Sequence, residues 1–181
     1  TRLVRSQRNR AEVFQKVATL EAEGYDFGLG EASLKLVILR SVREQKLPFK
    51  ILGYHFSFRS DSEETHACEA TVKIKVGKKI LHEACEGDGP IHALDGAIRK
   101  ILSPLFDEVK TVRLIDYEVR LLNGDSGAGS RTSVCIESTD GNVSWRTVGV
   151  HKNVIVASLQ ALVDSFEFCI IKDVFFRKGG V

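Results

Sequence analysis

Apolar positions along this chain recur at first with the helical period of roughly 3.6, then switch to alternation, and the switch occurs twice. Residues 5–23 place Val13, Phe14, Val17 and Leu20 on one stripe, with Arg8, Arg10, Glu12 and Lys16 elsewhere. That is a helix, and Gly24 closes it, because glycine tolerates the left-handed turn that ends one. A second helix is predicted from Glu31 to Gln45, with Leu34, Val37, Ile38 and Ser41 in phase and Leu47-Pro48 as its stop. From Phe49 the alternation takes over. Tyr54, Phe56 and Phe58 alternate with His55, Ser57 and Arg59, and Ala70, Val72, Ile74 and Val76 alternate with Thr71, Lys73 and Lys75. Gly77-Lys78-Lys79 reads as a hairpin turn into a third strand over 80–85, and a helix over 90–106 carries Ile91, Leu94, Ile98, Ile101, Leu102 and Leu105. Strands near 111–122, 131–138 and 143–149 and a helix near 153–166 follow. Asn123 to Gly129 reads as a flexible loop, Thr139-Asp140-Gly141-Asn142 as a turn, and the apolar tail Phe168 to Phe176 as a last strand before a frayed end.

The second half restates the first. Tyr54-His55-Phe56 stands against Tyr117-Glu118-Val119 at an offset of 63 residues, Val72-Lys73-Ile74 against Val134-Cys135-Ile136 at 62, and Ala93…Ala97-Ile98 against Ala157…Ala161-Leu162 at 64. Each copy reads strand, strand, strand, helix, and a single copy is unable to bury both its sheet face and its helix stripe. The fold class predicted is α+β: duplicated β-β-β-α units about a pseudo-twofold axis, helices on one side of antiparallel sheets, preceded by a helical hairpin. Residues 1–47 form a helical linker subdomain in this reading and residues 48–181 the duplicated domain. The hairpin has too few apolar positions to stand alone and is expected to pack on chain outside this sequence. Methionine is absent and Thr1 leads almost directly into helical pattern, from which a piece of a longer protein is expected.

Composition narrows the classes of partner. With 181 residues, 43% hydrophobic and 28% charged, the chain needs no staples to hold a core. A net charge of +2 gives no cause to expect a polyanion, and the one compact basic patch, Lys73, Lys75, Lys78 and Lys79, fits a solvated sheet face and turn. Cys68, Cys85, Cys135 and Cys169 show no C-x-x-C spacing, and at least two lie in apolar strands, as in a reduced cytoplasmic protein. No apolar run reads as long enough for a membrane span, so neither a membrane nor a nucleic acid is expected as partner.

Two corners carry the candidate chemistry. Gly87-Asp88-Gly89-Pro90 opens the first copy's helix: the glycines let backbone pass close to a ligand, and Pro90 suits a first helical turn. Exposed N–H groups and the positive helix end favour a carboxylate, while Asp88 suits an ammonium group, which together fit the backbone end of a free amino acid. The alternative is that Asp88 is an N-cap and the glycines merely turn the chain. Gly149-Val150-His151-Lys152-Asn153 is the matching corner of the second copy, with Asn153 as its cap. Tyr117 faces the core or lines a pocket beside the helix. His55, His66, His82, His92 and His151 show no metal-ligand spacing, and no nucleophile elbow or P-loop is present, so no catalytic residue and no cofactor are assigned to this chain.

Seven runs of residues, in order, resemble a known family: Glu23-Gly24-Tyr25-Asp26-Phe27, Glu31-Ala32-Ser33, Leu47-Pro48-Phe49, Glu86-Gly87-Asp88-Gly89-Pro90, Leu114-Ile115-Asp116-Tyr117, Trp145 to Val150 and Ala157 to Ser165. They look like the C-terminal part of the 2-isopropylmalate synthase family, most closely its citramalate synthase branch. The resemblance implies a parent acyltransferase that condenses acetyl-CoA with a 2-oxo acid, pyruvate in the citramalate branch, on a TIM barrel that uses a divalent metal and lies outside this chain. It implies a regulatory domain that forms a homodimer and binds isoleucine or leucine as a feedback inhibitor. Carried over by motif, the effector touches Gly87, Asp88, Gly89 and Ile91 at the first helix start, with Leu114, Tyr117 and Val154 completing the pocket. The sequence departs from the family pattern at Asp88, His92 and Arg146. Two other readings stand beside this one. A dimerisation domain without a ligand shares the fold. A double-stranded-RNA-binding domain shares the element order but needs basic residues where Gly87 to Asp95 carries two acids and no lysine.

Overall fold

The computed structural model describes residues 7–42, 47–61, 65–122 and 130–172. Helices α1 (Gln7–Ala22) and α2 (Glu31–Val42) lead into strands β1 (Lys50–Asp61), β2 (Thr65–Val76) and β3 (Lys79–Gly87) and helix α3 (Pro90–Leu102). A short helix α4 (Asp107–Thr111) precedes β4 (Arg113–Leu121), β5 (Thr132–Thr139), β6 (Ser144–His151) and α5 (Val154–Ile171). The strands form two separate antiparallel sheets, ordered β1-β2-β3 and β4-β5-β6. The predicted α+β class and the β-β-β-α repeat stand. The chain divides into two compact units, one built on each sheet.

The first-sheet unit has a simple core. Cys68, Ala70, Val72 and Ile74 of β2 point to one face, and α3 covers that face with Ala93, Leu94, Ala97, Ile98, Ile101 and Leu102, all buried. The predicted helix over 90–106 ends early: α3 stops at Leu102, and Leu105 is left exposed in a turn. Arg99 fixes the segment beyond by donating from Nη1 to the carbonyls of Val112 (2.6 Å) and Val109 (3.3 Å). The α4 turn, too short to show a period, was not predicted.

The second-sheet unit contains α1 and α2 together with β4–β6 and most of α5. This corrects the expectation that the hairpin packs on chain outside this sequence. Its buried face, Val13, Phe27, Ala32, Leu36, Val37 and Leu39, is consumed inside the unit. Phe14, placed on the buried stripe by its spacing, is instead 74% exposed. Helix α2 lies along the free edge of β6, and Gly30 permits the approach, since a Cβ there would sit 2.8 Å from Val148 Cβ. One face of the sheet takes α5: Thr147 Oγ1 donates to the Ala161 carbonyl (2.8 Å) and Trp145 Nε1 donates to Ser165 Oγ (3.1 Å).

Packing on both sides explains two further corrections. Helix α5 runs to Ile171, so residues 168–171 are helical where a strand was expected; residues 173–181 and the predicted loop over 123–129 lie outside the described residues. Its 18 residues have a mean hydropathy of 1.8, enough by length and composition to cross a membrane, contrary to the reading that no run approaches a span. The physical reason is burial. A helix pressed between a sheet and a hairpin is apolar all round, and Ala157, Leu159, Leu162, Phe166 and Phe168 are all buried.

The register sharpens the repeat. Tyr54 pairs with Val72 and Tyr117 with Ile136, so the structural equivalent of Val72 is Ile136, at 64 residues, rather than Val134 at 62. Both first strands carry a bulge at the same place, between Ile51 and Gly53 and between Leu114 and Asp116. The offset is 63 in the first strands and 64 through the rest of each copy. Ladder irregularities that recur at one position behave as inherited features rather than defects.

Candidate functional site

The corner at the start of α3 is built on close backbone approach. A Cβ on Gly87 would lie 2.5 Å from the Ala93 nitrogen, so strand and helix meet there only because residue 87 has no side chain. Gly89 is the N-cap, with extended backbone (φ −165°, ψ 174°) and no side-chain cap, and Pro90 follows in the first turn. Asp88 does not cap the helix. Its carboxylate is fully exposed and sits 3.2 Å from His92 Nδ1, which also accepts the Asp88 backbone N–H at 3.3 Å. Two of the three positions that depart from the family pattern thus touch each other. Ile91 is half-buried beside them.

The second copy closes the same corner with side chains. Asn153 Oδ1 accepts the N–H groups of Ile155 (2.8 Å) and Val156 (3.4 Å), as a cap should. His151 Nδ1 in turn accepts the Asn153 N–H at 2.9 Å. The N–H groups of Asn153, Ile155 and Val156 at the α5 start are therefore occupied, while the α3 start has no side-chain cap. Tyr117 O–H and Ser158 Oγ lie 2.7 Å apart, and Ser158 Oγ donates to the Val154 carbonyl at 2.7 Å. Ser158 thereby ties two of the predicted effector residues, Tyr117 and Val154, together within the second-sheet unit, and Leu114 lies on the same strand as Tyr117. Gly87, Asp88, Gly89 and Ile91 form one contiguous corner in the first-sheet unit.

Beside these corners, each sheet leaves an apolar strand uncovered. On β1, Leu52, Tyr54 and Phe58 are exposed, and on β4 Ile115, Tyr117, Val119 and Leu121 are exposed. The opposing pairs Tyr54–Val72 and Phe58–Cys68, and Tyr117–Ile136 and Val119–Val134, put these side chains on the helix-bearing faces. The exposed residues stand in matching positions of both copies, Tyr54 with Tyr117 and Phe58 with Leu121, and Tyr117 alone among them hydrogen-bonds to its helix, through Ser158.

Sequence reading missed a buried polar cluster in the second-sheet unit. Arg40 Nη2 donates to Asp164 Oδ1 at 2.7 Å and also to Glu167 Oε2. Ser33 Oγ donates to Asp164 Oδ2 at 2.7 Å and accepts the Val148 N–H at 3.0 Å. Burial raises the carboxyls of both Asp164 and Glu167 and outweighs the attraction of the single guanidinium. Burial alone would lower Arg40, but the two carboxylates hold it above its usual value, so it stays charged. The signal was present in the sequence: Asp164 and Glu167 are acids inside an otherwise apolar helix. Among the described residues no group of three or more His, Cys, Asp or Glu side chains is placed to hold a metal, and no disulfide joins any of the four cysteines.

Each copy of the duplicated α+β fold thus leaves an apolar edge strand bare. Residues 29–170 match the family described as LeuA allosteric (dimerisation) domain, and the chain belongs to that family. It is 39% identical over 158 residues to the (R)-citramalate synthase of Geobacter sulfurreducens, covering 87% of this chain and 30% of that protein. It is 43% identical over 165 residues to the (R)-citramalate synthase of Aquifex aeolicus, covering 90% of this chain and 31% of that protein. The 2-isopropylmalate synthase of Aquifex aeolicus is more distant, at 28% identity over 161 residues, covering 89% of this chain and 28% of that protein. The chain therefore spans roughly 30% of the length of the citramalate synthases it matches.

Proposed function

We propose that this chain is the regulatory part of a citramalate-forming acyltransferase, and that it reports the level of a branched-chain amino acid to a catalytic domain elsewhere in the same polypeptide. The observation that carries the reading is the unequal treatment of the two helix starts. A site for a free amino acid needs unclaimed N–H donors for its carboxylate and an anion for its ammonium group. The α3 corner offers an uncapped start and the exposed Asp88, whereas Asn153 already claims the donors of α5. Gly87, Asp88, Gly89 and Ile91 are accordingly the residues assigned to the effector's backbone end. Leu114, Tyr117 and Val154 are assigned to the effector by family pattern.

In this reading the parent enzyme joins the acetyl group of acetyl-CoA to pyruvate with a divalent metal in its catalytic domain, in the cytoplasm. The effector acts by favouring one arrangement of a homodimer, a coupling typically worth about 1–3 kcal/mol. The bare faces of β1 and β4 supply the dimer surface. Titration calorimetry of the 181-residue chain with isoleucine, leucine and valine is the test. Saturable binding of one of them, weakened about tenfold or more in Asp88→Ala through loss of the ammonium partner, supports the reading. Heat flat for all three would leave a dimerisation domain without an effector.

A further inference from the structure

The Arg40 cluster contains one base and two acids, and this count is unusual for a buried site. Arg40 Nη2 is the shared donor to Asp164 and Glu167, whose side chains are 12% and 4% exposed. Asp164 spends its other oxygen on Ser33, and Ser33 holds the Val148 N–H on the free edge of β6. Arg40 and Asp164 line a cavity of about 290 Å³ together with Lys16, Tyr25, Ser33 and Gln160. The charged and titratable groups around the cluster are therefore Lys16 from α1, Tyr25 from the loop, Arg40 from α2, and Asp164 and Glu167 themselves from α5. Lys35 lies nearby over the Phe168 ring, 5.5 Å from its centroid. Lys16 is exposed and makes no ion pair among the described residues, so it does not balance the second acid.

We propose that Ser33, Arg40, Asp164 and Glu167 form a proton-operated latch that fastens α2 to α5 and, through Ser33, closes the edge of β6. Among the described residues, the buried cluster with both acids ionised carries one negative charge more than its guanidinium balances, and the carboxylates repel across the guanidinium they share. With one proton bound the cluster is neutral, and a protonated Asp164 has the Ser33 hydroxyl oxygen as an acceptor 2.7 Å away. No bond is made or broken. A single proton moves between solvent and the carboxyl pair, and the pair titrates as a unit rather than as two independent groups. The latch is tight on the acid side of neutrality and loosens as the pH rises.

Two measurements on the full 181-residue chain decide the matter. In a carboxyl carbon-13 NMR titration, assigned with Asp164→Asn and Glu167→Gln, one step of the pair is expected above the ordinary carboxyl range, which lies near about 4. In amide hydrogen exchange, corrected for base catalysis, the opening of Val148 is expected to increase severalfold between about pH 5.5 and 8. Glu167→Gln removes the spare charge and is expected to make that opening independent of pH. Both carboxyls titrating at or below the ordinary range, or a Val148 opening that ignores pH in the wild type, would overturn the latch. Should Glu167→Gln fail to fold, those two wild-type readouts still decide.

Discussion

At the scale of single residues, the two copies solve one crowding problem in opposite ways. Where the third strand passes under its helix, the first copy places Cys85 on the strand and Gly96 on the helix. A Cβ on Gly96 would lie 2.6 Å from the Cys85 sulfur. The second copy places Gly149 on the strand and Gln160 on the helix, and a Cβ on Gly149 would lie 2.1 Å from the Ala157 carbonyl oxygen and 2.8 Å from Gln160 Cβ. One glycine per crossing suffices, and which side supplies it differs. Gly149→Ala is expected to cost about 1–3 kcal/mol by forcing strand and helix apart, read as a fall in the urea midpoint. Gly89→Ala, with open space around its Cβ and ordinary extended backbone, is expected to unfold within about 0.5 kcal/mol of wild type. Any loss of amino-acid binding in that variant then reports on the corner itself. Arg40→Met belongs here too: it strands two buried carboxylates, and a loss of about 3–5 kcal/mol is expected at neutral pH.

At the scale of elements, the sign of the pH response follows from the raised carboxyls of Asp164 and Glu167. A carboxyl whose folded pKa lies above its unfolded value lets the native state hold more protons between the two values. The contribution to stability therefore grows as pH falls from the raised value toward the ordinary carboxylate range, and is lost as pH rises. Urea unfolding at a series of pH values is expected to show this slope in wild type and a shallower one in Asp164→Asn. Much of this level was legible beforehand. The alternation in β2 and the stripe of α3 are enforced by a single buried face, so the period survives in the sequence, and β1 and β4 keep the alternation although their apolar side chains are exposed. What eluded reading is where a second neighbour arrives. Nothing in Ser33 or Gln160 announces that they will accept edge amides of β6, and a helix buried on two sides loses the polar face that betrays its length. The candidate site was half legible. Glycine and proline marked the α3 corner, but the occupancy of the α5 donors by Asn153 and the Tyr117–Ser158 link depend on geometry that spacing does not encode.

At the scale of the whole molecule, each unit bares apolar residues, on β1 and on β4, in a family described by dimerisation, and under the proposed function these are the residues a partner copy covers. Leu121→Lys and Phe58→Lys change side chains that are 73% and 67% exposed, so the fold is expected to persist while the dimer weakens. Sedimentation at several concentrations reads the result, and a dimer as tight as wild type in both variants would place the surface elsewhere. A last consequence follows from the rim of the second sheet. Along β6 the outward amides of Arg146, Val148 and Val150 are bonded by Glu31, Ser33 and Gln160, the first two of which helix α2 provides. Trimming the chain back to residue 47 would unveil a stretch of unsatisfied backbone with an appetite for any passing strand. A chain shortened in that way is expected to associate through the opened rim, and helix α2 would prove to be its safeguard against stray strand pairing.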